Sequence, residues 1–319
     1  MSLRRFKGFN TKTYKTLSII FFGIVIVESF FLIKFYSQEH AKKKPITRES
    51  VLTAKGKVRK KAAQVVSSLP QQHRAQTIFP TTTKPTTTGR GQIAIIIDDS
   101  GYNMQDCDHL NEINKPVTIS ILPGIEHSRD IARCAHTSQK EVMLHLPLEA
   151  YETLDKYPKD YVINTDMPKG LIIDRLDESL ASVPFADGVN NHMGSKATEN
   201  IRLMSILFAQ LLDKNLFFVD SRVTSKTVGP KLAQEIGLPF AQRDIFLDNV
   251  TERDEIEAQF QKLADVAQKQ GSAIGIGHTR ELTWEIIKEQ IPKLTELGFE
   301  IVPVRMIVNS KNNKMKIGK

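Results

Sequence analysis

Short runs of aliphatic residues alternate with amphipathic stretches of helical period from Gln92 onward. This alternation is typical of βα units, in which each strand leads into a helix that packs against a parallel sheet. Eight units within about 220 residues favour an α/β fold of the distorted (β/α)-barrel type over an open doubly wound sheet. The eight strands are predicted at residues 93–97, 117–121, 141–146, 188–191, 217–219, 240–242, 273–276 and 300–304.

Three helices are predicted most clearly, at residues 201–212, 253–269 and 283–297. The second is expected to begin with a capping-box arrangement of Thr251 and Asp254. Gly271 and Gly298 are predicted to end the second and third helices. No Gly-rich phosphate loop follows the first strand, and this argues against a dinucleotide-binding fold.

The positive charge of the chain is confined to its flanks. The whole chain has 44 Lys and Arg against 36 Asp and Glu, a formal net charge of +8. Residues 1–90 carry 18 of the basic residues and 3 acids, and residues 311–319 carry 4 more basic residues. Residues 91–310 therefore hold 22 basic and 33 acidic residues. A domain that binds a phosphate backbone needs the opposite balance, so nucleic acid is not expected as a partner.

An apolar segment, LSIIFFGIVIVESFFLI, lies near the N-terminus. Extended to residues 17–36, it is long enough to cross a bilayer, and we expect an uncleaved single-pass anchor. A cleaved signal peptide is the alternative, but the stretch is longer than a usual signal core and no small-residue cleavage site follows it. The basic residues of the tail 1–16 favour a cytoplasmic N-terminus, which places the remaining chain on the periplasmic side of the inner membrane.

Residues 37–90 are rich in Lys, Thr, Ser, Gln and Pro and show no sustained apolar period. Such a segment buries too little apolar surface to offset the entropy of ordering it. We therefore expect a disordered, basic, Thr/Pro-rich linker that holds a domain at residues 91–310 away from the membrane, with a basic tail at residues 311–319.

Acidic and histidine side chains stand at the ends of the predicted strands. In a parallel barrel the carboxyl ends of the strands form one rim, so residues far apart in the sequence converge there. The residues concerned are Asp98 and Asp99 after the first strand, His145 at the end of the third, His192 after the fourth, Asp220 at the end of the fifth and His278 after the seventh.

The adjacent carboxylates of Asp98 and Asp99 repel each other unless a cation lies near them. A metal ion bound by one carboxylate removes the conflict and leaves the other as a base toward water. With His145 and His192, Asp99 completes the two-histidine, one-carboxylate set of an open catalytic zinc site. The alternatives are an Asp pair that caps the following helix and histidines that are merely packed in the core.

His278 suits a general acid, because an imidazole pKa near neutrality matches the protonation of a leaving group. A histidine hydrogen-bonded to its loop is the alternative. Asp220 is expected either to orient His278 or to form hydrogen bonds to the residues that bind the metal. Cys107 and Cys134 could pair in an oxidising compartment, which their spacing leaves open.

The segments IIIDDSGY, VTISILPG, EVMLHLPLE, NNHMGS, FVDSR and IGIGHTR, spread over residues 91–309, resemble the divergent polysaccharide deacetylase family, a branch of the carbohydrate deacetylase superfamily. The resemblance implies a deacetylase-type barrel. It makes Asp98 similar to the catalytic base, Asp99 to the metal-binding carboxylate and His278 to the acid. His145 and His192 then look like the two metal histidines.

The chain departs from the classical deacetylases in two places. Their two histidines share one short motif, whereas here they come from separate strands, and NNHMGS stands where the classical enzymes carry an Arg-containing motif. Arg222, Arg243 and Arg280 are the candidates to replace that arginine.

The expected function is that of a divalent-metal-dependent hydrolase, with Zn²⁺ as the expected ion, which deacetylates an envelope or cell-wall glycan. A catalytically inactive barrel that binds glycan or a protein partner is the first alternative. A metal-independent glycosidase that uses Asp98 and Asp220 is the second.

Overall fold

The structure, a computed structural model, describes residues 89–152 and 159–317, with the side chains of 314–317 left out. The predicted cytoplasmic tail, membrane anchor and nearly all of the predicted linker lie outside these residues. Within the described ranges, no helix combines the length and the apolar character that a bilayer crossing requires.

Nine parallel strands form one sheet in the described part of the chain. The strands are β1 Gly91–Ser100, β2 Thr118–Ile121, β3 Glu141–Leu148, β4 Ala186–Met193, β5 Phe217–Asp220, β6 Phe240–Gln242, β7 Ile245–Phe246, β8 Ser272–His278 and β9 Phe299–Ile301. The helices are α1 Gln105–Glu112, α2 Ser128–Thr137, α3 Lys169–Ser182, α4 Ile201–Asp213, α5 Gly229–Ile236, α6 Arg253–Gln270, α7 Glu281–Glu296 and α8 Val304–Ile317. Short 3₁₀ turns occupy Lys159–Tyr161 and Ala197–Glu199.

The strand order is β6-β5-β4-β3-β2-β1-β8-β7, and β9 pairs with the first residues of β1. The two edge strands, β6 and β7, follow each other in the sequence with only residues 243 and 244 between them. Because three consecutive Cα steps span at most about 11 Å, the two edges lie close together and the sheet must curl. The predicted α/β class and parallel sheet are confirmed, but the predicted barrel is a curled half-barrel, because β6 and β7 end the order of paired strands in the described residues. β7 is a strand that the sequence did not reveal.

Side chains of alternate residues along each strand face opposite sides of the curled sheet. On β1, Ile93, Ile95 and Ile97 pack in the large core that also contains residues of the surrounding helices. Ala94 and Ile96 belong to a second buried cluster inside the curl, with Met143, Val219 and Ile276 from other strands. Continuing the alternation places Asp98 on the inner side, above this apolar layer.

Helix α8 packs at the amino ends of the strands. Arg305 pairs with Glu141 at the start of β3 and with Asp187 near the start of β4. Val304 and Ile307 are buried in the inner cluster. The amino end of the curl is therefore covered, which leaves the carboxyl ends for a site. Since α8 continues to residue 317, the predicted boundary at residue 310 falls inside a helix.

The C-terminal ends of two helices were predicted correctly, but the N-terminal cap of one of them was not. Gly271 follows α6 with φ 83° and Gly298 follows α7 with φ 90°, both left-handed as predicted. The predicted capping box is wrong. The cap position of α6 is Glu252, which makes no side-chain cap bond, and the hydroxyl of Thr251 accepts a hydrogen bond from Arg280 instead.

Cys107 of α1 and Cys134 of α2 form a disulfide. The bond ties together the helices that follow β1 and β2. The pairing that the sequence left open is therefore present in the fold.

Candidate metal centre

Asp98 and Asp99 are adjacent residues at the end of β1. In a regular strand their side chains would point to opposite faces of the sheet. Asp99 instead has φ 64°, a left-handed conformation that a residue other than glycine seldom adopts, and the pairing of β1 with β2 is irregular between Ile97 and Ser100. Strained conformations of this kind concentrate at functional sites. The irregularity brings both carboxylates to the same centre.

Three ligand-type atoms meet at this centre. Asp99 Oδ1 lies 2.9 Å from His192 Nδ1 and 3.1 Å from His145 Nε2, and the two imidazole nitrogens are 3.2 Å apart. A tetrahedral zinc ion with bonds of about 2.0–2.1 Å holds its ligand atoms roughly 3.3 Å apart. The predicted trio of Asp99, His145 and His192 therefore matches the spacing of three ligands around one small cation.

The electrostatics of the trio favour a positive charge in its midst. Burial alone would raise the pKa of Asp99, but the hydrogen bonds and charges of His145 and His192 lower it well below the ordinary value of 3.8. Burial alone would lower the pKa of His145, but the charges of Asp98 and Asp99, with hydrogen bonds to Asp99 and Asn190, raise it to about 9. A divalent cation would supply the same compensation as these protons.

Asp98 is buried beside the trio, with one carboxylate oxygen 3.7 Å from His145 Nε2. Asn190 Nδ2 donates hydrogen bonds to both of its oxygens, at 2.9 and 3.1 Å. Burial raises the pKa of Asp98 above 3.8 against the opposing charges of His145 and His278. A carboxylate with a raised pKa is suited to a general base. Asn190 lies in the NNHMGS segment, but its side chain is a neutral amide. A search of the sequence for titratable residues therefore does not single it out.

His278 faces the same space from the neighbouring strand, because Asp98 of β1 and His278 of β8 are partners in the sheet register. Its Nδ1 lies 2.8 Å from Asp248 Oδ1. Asp248 is fully buried and also accepts hydrogen bonds from Thr283 Oγ1 and from the His278 backbone N–H. The imidazole is thereby oriented by a carboxylate, the arrangement that a general acid needs.

Of the two roles expected of Asp220, the orientation of His278 is wrong, because Asp248 has that position; the other, support of the metal ligands, stays a prediction. Asp220 is buried, and its carboxylate accepts hydrogen bonds from Thr227 Oγ1 at 2.7 Å and from the Arg222 N–H at 2.8 Å. These contacts hold the loop that follows β5. Asp248 escaped prediction because it follows β7, the strand too short to show a pattern.

Arg243 is one of the three candidates to replace the classical arginine, and its guanidinium packs on the ring of Phe246. Its guanidinium lies 3.6 Å from the centroid of the Phe246 ring, and Phe246 stacks on His278 with centroids 5.9 Å apart. Nε of Arg243 donates to the carbonyl of Ser221. Burial and the charge of Arg222 lower the pKa of Arg243 to about 10. Arg280, in contrast, is engaged by the carbonyl of Asp248 and by Thr251.

Comparisons with known proteins find bacterial relatives of this chain. The chain is 33% identical over 205 residues to the uncharacterized protein YibQ of Escherichia coli (strain K12), a match that spans 64% of this chain and 63% of that protein. An uncharacterized protein of Haemophilus influenzae is 32% identical over 207 residues, which are 65% of this chain and 73% of that protein. The match thus covers less than two thirds of the length of the E. coli relative.

An uncharacterized protein from Agrobacterium tumefaciens, known from its crystal structure, superposes with a TM-score of 0.66 at 20% identity, over 70% of this chain and 92% of that one. At that identity the likeness concerns the fold. The family model described as divergent polysaccharide deacetylase matches residues 95–308, which include every residue of the centre described above. This chain therefore belongs to the divergent polysaccharide deacetylase family.

Proposed function

We propose that the protein is a metal-dependent hydrolase that removes acetyl groups from an envelope or cell-wall glycan. The observation that carries the proposal is the triangle of Asp99, His145 and His192, with sides of 2.9, 3.1 and 3.2 Å, beside a buried Asp98. Family membership supports the reaction class.

Asp99, His145 and His192 would hold the ion. A zinc ion on such a ligand set acidifies water and polarises an acyl carbonyl. Asp98 takes the proton of the attacking water, because its buried carboxylate lies beside the trio and has a raised pKa. His278, oriented by Asp248, gives a proton to the departing amine or hydroxyl when the tetrahedral intermediate collapses.

Exposed aromatic rings at the rim support a sugar as the substrate. Tyr102 follows β1 and is 54% exposed, and Tyr151 follows β3 and is 67% exposed. Partial burial, together with the charge of Asp99, raises the pKa of Tyr102. Flat rings with a polar tip offer both an apolar face and a hydrogen-bonding group to a ligand.

We also propose that residues 17–36 anchor the protein in the inner membrane and that the domain acts in the periplasm. The Cys107–Cys134 disulfide supports this location, because disulfides persist in oxidising compartments. Membrane fractionation of the full chain and of a variant that begins at residue 37 tests the anchor. Recovery of the full chain in the soluble fraction would contradict it.

Metal analysis of the full chain, combined with acetate release from acetylated chitin and peptidoglycan fragments, tests the enzyme. The expected result is one zinc per chain and release that is lost in Asp99→Ala and His192→Ala. Exposed residues of α2 provide the matched controls, Asp130→Ala and His136→Ala, which should retain both properties. Bound zinc without acetate release from either substrate would favour the inactive, ligand-binding alternative. A metal-free protein would overturn the proposal.

A further inference from the structure

Asn190 lies on the inner side of β4 and is fully buried. Its carbonyl oxygen is 2.5 Å from Ser120 Oγ, which donates to it, and 2.8 Å from His145 Nδ1. Its amide nitrogen donates to both oxygens of Asp98, at 2.9 and 3.1 Å, and lies 3.4 Å from Ser221 Oγ. The two lone pairs and the two N–H groups of this amide are thus all used.

The chemistry of the partners fixes which way the amide points. Nδ2 of Asn190 donates to both oxygens of Asp98, so the NH₂ group faces that carboxylate. The carbonyl oxygen then faces His145, and an oxygen without a hydrogen requires Nδ1 of His145 to be the donor. A neutral His145 therefore carries its hydrogen on Nδ1. Its other nitrogen, Nε2, keeps its lone pair and faces Asp99 and His192.

One amide therefore touches two residues that have different tasks. Through its oxygen it sets the tautomer and ring orientation of a metal ligand, and through its nitrogen it fixes both oxygens of the base. Groups that hold a metal histidine in this way usually change metal affinity by about 10- to 100-fold when removed. A buried amide with a purely structural role would affect stability alone.

We propose that Asn190 is the positioning residue of this centre: it presents Nε2 of His145 to the metal and holds the carboxylate of Asp98 in place for proton transfer. The inference rests on the proposed function, because it assigns His145 and Asp98 their tasks there. It adds a residue that acts only through these two and touches neither metal nor substrate.

Two substitutions separate the two tasks. Asn190→Leu has nearly the same shape but removes both the acceptor and the donor. Asn190→Asp keeps an acceptor toward His145 Nδ1 and Ser120, but it places a carboxylate where Asp98 needs a donor. Thr118→Val is the matched control, because Thr118 is an equally buried hydrogen-bonding residue of β2 near the opposite end of the sheet, where it bonds Glu141.

The experiment uses the full chain and measures the zinc dissociation constant by competition with a chromophoric chelator, acetate release at saturating zinc, and the thermal midpoint. Asn190→Leu should weaken zinc binding about 10- to 100-fold. Asn190→Asp should bind zinc no more weakly than the wild type and yet lose at least about 10-fold in acetate release, since Asp98 loses its donor. Thr118→Val should lower only the thermal midpoint.

Zinc affinity and acetate release at wild-type levels in Asn190→Leu would overturn the inference and leave the proposed function intact. Zinc binding as weak in Asn190→Asp as in Asn190→Leu would also overturn it. A wild type that binds zinc but releases no acetate, with weaker binding in Asn190→Leu alone, would support the ligand-positioning role and overturn the proposed function. If Asn190→Leu does not fold, the comparison of Asn190→Asp with the wild type decides.

Discussion

His278 Nδ1 lies 2.8 Å from the carboxylate of Asp248, a residue with no exposed surface that follows β7. Burial alone would lower the pKa of His278, but the hydrogen bond and charge of Asp248 outweigh it, and the pKa is raised above 6.5. The same contact lowers the pKa of Asp248 against its own burial. The pair therefore favours the protonated imidazole, the form that a proton donor needs.

Asp248→Asn should move the alkaline limb of the pH profile for acetate release toward lower pH. The substitution removes the negative charge that raises the pKa of His278, so the imidazole loses its proton earlier as the pH rises. The measurement is kcat/KM for acetate release as a function of pH. Asp130→Asn, at an exposed site on α2, is the control. An unmoved alkaline limb in Asp248→Asn would show that His278 is not the acid.

The stability of the protein should depend on the same pair. The folded-state pKa of His278 is raised above 6.5, so the contribution of the charged pair is fully present below pH 6.5 and is lost as the pH rises through the raised value. The difference in unfolding free energy between wild type and His278→Gln, measured in urea, should therefore shrink as the pH increases. A difference that is constant or grows with pH would contradict this assignment.

Asp98→Asn should separate zinc binding from catalysis. The substitution preserves the shape of the side chain and leaves Asp99, His145 and His192 in place, but it removes the base. Acetate release should fall about 10²- to 10⁴-fold, the usual contribution of a general base, while one zinc per chain is retained. Release within a few-fold of the wild type would exclude Asp98 as the base.

Replacement of both cysteines by serine should lower the free energy of unfolding by about 3.5 kcal/mol, the chain-entropy value for a loop of this size. Cys107 and Cys134 are 27 residues apart and connect α1 to α2. Urea unfolding of the double variant and of the wild type measures this difference. A reductant should lower the free energy of unfolding of the wild type to that of the variant. Insensitivity of the wild type to the reductant would show that the bond does not form.

The sequence predicted the site residues that are titratable and that also stand at the end of a recognisable apolar strand. Asp98, Asp99, His145 and His278 each end an apolar run, and the parallel topology then brings them together. Asp220 ends a run as well, but the loop after β5 turns back so that Thr227 and Arg222 bind its carboxylate. The end of a strand thus predicts that a side chain lies at the rim, but it does not predict which residues that side chain contacts there.

Asp248 and Asn190 were beyond sequence reasoning for different reasons. Asp248 follows β7, whose two residues are too few to show a period and which exists through its pairing with β8. Asn190 carries no charge, and its role depends on four neighbours from β1, β2, β3 and the loop after β5 that only the fold assembles. Thr251 failed as a cap for a related reason, because Arg280 from after β8 engages its hydroxyl.

Crystals of the protein soaked in zinc, with diffraction recorded on both sides of the zinc absorption edge, test the central claim most directly. We predict one strong anomalous peak within about 2.0–2.2 Å of Asp99 Oδ1, His145 Nε2 and His192 Nδ1, and its loss in His192→Ala. A zinc-soaked crystal without a peak among these three atoms, or with zinc bound only elsewhere, would contradict the account.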